Sequence, residues 1–159
     1  MEKDIISIKP HHLIDIIKLY GAGIEHFLPD EAFQHNFYKV ANKIIHNCDC
    51  LLQFTIRGDD ICQPCNRFDG QKCTDPLSCV DGYLNKETYY RVLDNRITDI
   101  LGLNLDETYS VRQILTSFLG EPNLVFLVWI EENEALTSKR NTLFQCGCRK
   151  LLTDDTTNL

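Results

Sequence analysis

The chain has 159 residues, 43% of them apolar, and a formal net charge of −7, so it can build one ordinary core without a metal to hold it together. Its sixteen Lys and Arg residues are scattered, which disfavours nucleic acid as a partner because phosphate binding draws on a basic surface. Its longest apolar run, Leu124 to Ile130, falls well short of the about 20 residues that a membrane helix needs, and Met1-Glu2-Lys3-Asp4 lacks the basic start of a secretory signal, so a soluble cytoplasmic protein is expected.

In chain order, Ile5, Ile6 and Ile8 predict a short strand, ended by Pro10 at a position where its missing N–H costs a helix nothing. A helix follows to about Tyr20, with Leu13, Ile16, Ile17 and Tyr20 as its apolar stripe and Gly21 and Gly23 as its stop. Asp30 is the expected N-cap of a second helix carrying Phe33, Phe37, Val40, Ala41, Ile44 and Ile45. Leu52, Phe54 and Ile56 alternate with polar residues as a half-buried strand. After a cysteine-bearing loop over 58–82, Asn85 caps a third helix that ends at Gly102, and Ser110 opens a fourth that ends at Gly120 and Pro122. Leu124 to Ile130 is short and rich in branched side chains, which predicts a buried strand. Residues 134–152 form a last helix, interrupted at Cys146-Gly147-Cys148, and 153–159 form a frayed tail.

Eight cysteines fall into three groups, Cys48 with Cys50, the loop set Cys62, Cys65, Cys73 and Cys79, and Cys146 with Cys148. In a reducing compartment, thiols at such spacings are ligands more often than disulfides. Cys62 and Cys65 stand in a CxxC turn, the shortest spacing that brings two thiolates to one metal, and Cys73 and Cys79 follow after seven and five intervening residues. The loop between them has too few apolar side chains to offset its own ordering entropy, so a coordinate bond is the natural way to hold it. Two zinc knuckles would show a second CxxC, whereas unequal spacing is common around iron–sulfur clusters. Zinc stays open as the alternative, since both metals accept four thiolates. Gly147 permits the bend that would aim Cys146 and Cys148 at one ion.

Pro10-His11-His12 places two imidazoles on the first turn of a helix, among unpaired N–H groups. His11 and Asp15 stand at i and i+4, a metal-ligand spacing, off the apolar stripe; His12, at the stripe's edge, is the one expected to be buried. His26, His35 and His46 share no spacing with the cysteines and are expected at the surface. No Ser/His/Asp set, phosphate loop or dinucleotide fingerprint is visible in the chain.

Lys9-Pro10-His11-His12-Leu13, the turn Tyr20-Gly21-Ala22-Gly23, and Gly58-Asp59-Asp60-Ile61-Cys62-Gln63-Pro64-Cys65 with Cys73 following form one set of motifs. With Leu93-Asp94 and Leu101-Gly102-Leu103, it resembles a family of small bacterial and archaeal proteins described as domain of unknown function 1284, over residues 5 to 120. Cys146-Gly147-Cys148-Arg149 is similar, more loosely, to the end of that family. The resemblance implies iron–sulfur binding and names no reaction. It also shows two departures, Asp15 where the family generally has cysteine and Asn66 where it has proline after the second loop cysteine. If the family's helix cysteine is a ligand, this chain has exchanged thiolate for carboxylate at Asp15 or lost the contact, with Cys48 and Cys50 as local substitutes.

The expectation is therefore one α+β domain over 1–152, with four to five helices, a small sheet of short strands and a cysteine-rich metal loop. Cys62, Cys65, Cys73 and Cys79, joined by Cys146 or Cys148, would hold a [4Fe–4S]-type cluster, with His11, His12 and Asp15 near an open iron. Electron transfer to a redox partner, or cluster-assisted chemistry on a small molecule, would follow. The alternative is a zinc-stabilised interaction module without turnover.

Overall fold

The computed structural model describes residues 4–77 and 80–157. Its elements are β1 (Ile5–Ile8), α1 (Pro10–Gly21), α2 (Phe37–His46), β2 (Leu51–Phe54), α3 (Lys86–Leu101), β3 (Tyr109–Ser110), α4 (Val111–Leu119), α5 (Leu124–Val128) and α6 (Glu134–Thr157). The fold is α+β, with six helices among the described residues and a three-stranded sheet in the order β1-β2-β3. β1 and β2 run parallel, Ile5 opposite Leu51 through Ile8 opposite Phe54, and β3 joins β2 antiparallel. A parallel pair needs a long crossover, and here α1 and α2 supply it. None of the described helices is long and apolar enough to cross a membrane.

The sequence signals at the helix ends act as expected. The Asn85 side chain accepts from Thr88 N–H at 2.9 Å, and Gly102 closes α3 in the left-handed region at φ 63°, where a Cβ would be strained. Ser110 forms a reciprocal capping box with Gln113 at 2.7 and 3.1 Å. The backbone carbonyls of Cys48 and Cys50 accept from Arg112 and Val111 N–H at 3.0 and 3.1 Å, so this pair of cysteines serves the α4 N-terminus through its main chain.

Three readings differ from the structure. Leu124 to Val128 is helical, burying Leu124, Val125 and Val128 while Phe126 and Leu127 face out; an uninterrupted apolar run carries no period, and tertiary packing decided it. Asp30 caps a local turn instead of a helix, accepting from Ala32 and Phe33 N–H at 2.8 and 3.0 Å, and α2 begins only at Phe37. The intervening backbone is recruited by the cysteine loop, Asn36 N–H donating to Ile61 O at 3.1 Å and Asn66 N–H to Phe33 O at 2.9 Å. The last helix runs unbroken through Gly147 to Thr157, and Tyr20 OH donates to Asp154 at 2.5 Å in what was read as a tail.

Gly147 has a packing reason. α1 and α6 make the most extensive contact between any two elements, and their backbones meet at two glycines. A Cβ on Gly147 would stand 2.0 Å from Ile17 O, and one on Gly21 1.9 Å from Leu143 O. Both obstacles are main chain and cannot swing aside, so Gly147→Ala is expected to lower stability by about 2–3 kcal/mol, the upper range of overpacking. Chemical denaturation would show it as a lower midpoint at unchanged slope. A variant as stable as the parent would mean that the helices are not locked at this point.

Candidate functional site

The cysteine loop is fastened to β1 and α1 by consecutive aspartates. Asp60 N–H donates to Ser7 O at 3.0 Å, and Ser7 N–H donates back to the Asp60 carboxylate at 2.9 Å. Asp59, 1% exposed, accepts from Lys9 N–H at 2.7 Å and lies 2.7 Å from His12 Nδ1 through one oxygen. Through the other it accepts from Ile61 and Cys62 N–H, both at 3.1 Å. Four donors occupy the four lone-pair directions of a carboxylate. Burial alone would raise its pKa, but the charge and hydrogen bond of His12, with the main-chain donors, hold it well below the usual carboxylate range.

The loop then returns along α3. Cys73 N–H donates to the Glu87 carboxylate at 3.0 Å, and Glu87 also meets Lys9 Nζ at 3.8 Å and Arg91 at 3.0 Å. Lys9 is nearly enclosed, at 3% exposed. Burial works against its charge, yet the acidic groups around it, the Cys62 thiol with Glu87, Asp59 and Asp94, prevail and raise its pKa. The Phe68 ring closes over Gly58, whose absent Cβ would lie 2.3 Å from it.

These attachments open a cavity of about 220 Å³ whose wall includes Lys9, His12, Asp15, Cys62, Cys65 and Cys73. His35 and Tyr90 complete part of the rim, so His35, expected as a plain surface residue, stands beside the thiols. Ligand atoms of His12, Asp59 and Cys62 lie within 4.8 Å of one another, and they form the one such set among the described residues. Asp59 has its lone pairs committed, so its part is to orient: with Nδ1 turned to Asp59, His12 presents Nε2. Burial of the His12 ring lowers its pKa, and Asp59 more than reverses that, for a net rise. Burial, reinforced by Asp59, pushes the Cys62 thiol up to about 12. Burial also raises Cys73.

The other sequence candidates are placed elsewhere. His11, not His12, is the enclosed imidazole, at 2% exposed. Asp94 accepts from His11 N–H at 2.8 Å and lies 2.9 and 3.0 Å from Nδ1, and His11 lines a neighbouring cavity. Cys148 is fully buried in the core, its thiol pushed up to about 12 by burial, and Cys146 is exposed on the same helix. Neither is among the residues described on the thiol cavity's wall. Cys48 is buried, its thiol 3.9 Å from Leu151 O, and burial pushes Cys50 up to about 11. Cys79 lies outside the described residues. Sequence reasoning missed Lys9, Asp59 and Glu87; the one signal for Asp59 was its place three residues before the CxxC turn, where it can cap the N–H groups of that turn.

Cysteine-rich and compatible with metal binding, the chain has no match among curated proteins or solved structures. A family model described as "Protein of unknown function (DUF1284)" matches residues 30–123, more than half of its length. That span carries Asp59, the loop cysteines, Glu87 and Asp94, whereas α1 and α6 lie outside it. By that match the chain belongs to the DUF1284 family, whose function is unknown.

Proposed function

We propose that the cavity beneath the cysteine loop holds an iron–sulfur cluster on Cys62, Cys65 and Cys73, and that the protein acts in electron transfer or cluster-assisted chemistry in a reducing cytoplasm. One observation carries the reading: three thiols line a single cavity of about 220 Å³ without forming a mutually close set. A tetrahedral zinc site with Zn–S of about 2.3 Å needs sulfurs roughly 3.8 Å apart. A polynuclear cluster instead takes thiolates from several directions.

Bound there, a cluster would supply one-electron transfer or an iron for a small molecule to coordinate. The chain's own groups supply the rest. His12 Nε2 and the Asp15 carboxylate stand on the same wall as the thiols and suit the position left by an incomplete thiolate set, Asp15 standing where the family resemblance implies a cysteine. Lys9 offers a positive charge, and the buried main-chain N–H groups of Cys62 and Cys73 are already satisfied by Asp59 and Glu87. Cys79 is the remaining thiol of the loop. A mononuclear zinc site around His12 and Cys62, in an interaction module without turnover, is the second reading, favoured by their close approach.

Anaerobic purification and metal analysis separate the two. Brown protein with iron and equal labile sulfide is the expected result; colourless protein with one equivalent of zinc would replace it with the second reading. On chelation, far-UV circular dichroism is expected to keep most of its helical signal, because α1 and α3 to α6 pack on one another outside the loop. Proteolysis should then appear first between Arg67 and Tyr83, beyond the Asp59 and Asp60 anchors. Global loss of helix, as in zinc fingers whose metal supplies about 10–16 kcal/mol of folding free energy, would contradict this.

A further inference from the structure

A second cavity, of about 160 Å³, lies against the first, with Asp15 and Tyr90 on the wall they share. Two of its lining residues carry buried polar atoms without a protein partner: His11 at Nε2, and Arg140 at Nε and Nη1. Such atoms are costly to leave unpaired.

Their chemistry is fixed by what holds them. Asp94 can only accept, so His11 Nδ1 carries the proton shared with it, and in the neutral ring Nε2 is then an acceptor in need of a donor. Arg140 is held by Glu132 at 3.1 Å through Nη2 and by the Trp129 face, 4.5 Å from its centroid, leaving donors in need of an acceptor. The same wall carries the rings of Tyr89, Tyr90 and Trp129 with Leu77 and Leu93. The lining sets these polar atoms beside aromatic faces, which suits a flat ligand carrying both a donor and an acceptor. A cavity of about 150 Å³ admits a benzene ring.

Charge narrows the class further. Arg140 is already balanced by Glu132, and the one other ionised group on the wall is Asp15, paired with Lys18 at 3.6 Å. The lining therefore has no surplus positive charge for an anion. We propose that this cavity binds a small, neutral, planar molecule with a carbonyl beside an N–H, of the amide or lactam class, which donates to His11 Nε2 and accepts from Arg140. The site stands whether the neighbouring cavity holds iron, zinc or neither.

The test uses the full-length protein with 2-pyridone and benzamide as probes and benzoate as the charged match of benzamide, followed by ligand-observed NMR titration. The two neutral probes are expected to bind at millimolar concentration and benzoate at least tenfold more weakly. His11→Asn keeps a donor for Asp94 while removing the Nε2 acceptor, and Arg140→Met keeps the aliphatic stem. Each is expected to weaken the neutral probes at least about tenfold, the scale of one lost buried hydrogen bond. Should Arg140→Met fail to fold, His11→Asn decides alone, and the comparison of benzamide with benzoate needs no variant. No binding of either neutral probe, tighter binding of benzoate, or undiminished binding in a folded His11→Asn protein would each overturn the proposal.

Discussion

Asp59→Ala is expected to destabilise the protein by about 3–5 kcal/mol, the cost of removing one partner from a buried charged network. The carboxylate is 1% exposed and meets four donors, Lys9 N–H, Ile61 N–H, Cys62 N–H and His12 Nδ1. Alanine leaves all four without it and brings no acceptor of its own, and Lys9 also loses one of its negative neighbours. Asp59→Asn tests whether charge or shape matters. It keeps one acceptor oxygen but turns an N–H₂ group toward donors, so it should lose nearly as much. Urea denaturation measures both, and a loss below about 1 kcal/mol, the ordinary worth of one hydrogen bond, would refute the view that this side chain fastens loop to core.

The second large effect falls on metal content. Cys62→Ser and Cys65→Ser are expected to lower bound metal at least about tenfold, since disturbing even the groups that orient a ligand costs about 10- to 100-fold in affinity. Cys48→Ser should keep its metal, because that thiol sits in the core near Leu151 O and is absent from the residues lining the loop cavity. Inductively coupled plasma analysis of anaerobically prepared variants reads the outcome. Full occupancy in Cys65→Ser would remove the CxxC chelate on which the proposed function stands.

Local signals in the sequence carried the parts of the fold that local chemistry decides. Asn85, Gly102 and Ser110 set their helix ends through bonds made within a few residues, and the alternation at Leu52 and Phe54 matches their burial at 0% and 2%. Where a distant segment intervenes, the reading failed: α2 starts late because the cysteine loop takes the backbone of Phe33 and Asn36. The histidines exchanged places for the same reason. A helical wheel puts His11 off the apolar stripe, but Asp94, 83 residues away, holds it in the interior through bonds to its main-chain N–H and to Nδ1. The loop cysteines were legible by spacing and Asp59 by its place just before the CxxC turn, whereas Glu87 comes from α3, which only the fold brings beside Cys73.

The glycine crossing of α1 and α6 also bears on how the chain is made. The two helices lie more than a hundred residues apart in sequence, yet each is the other's principal neighbour. At roughly 5–20 residues per second of synthesis, on the order of ten seconds pass between them. Through that interval Ile17, fully buried in the finished protein, lacks the helix that it meets at Gly147. Closure between elements so far apart in the chain raises contact order, which slows folding, and it leaves part of the α1 face open until α6 emerges.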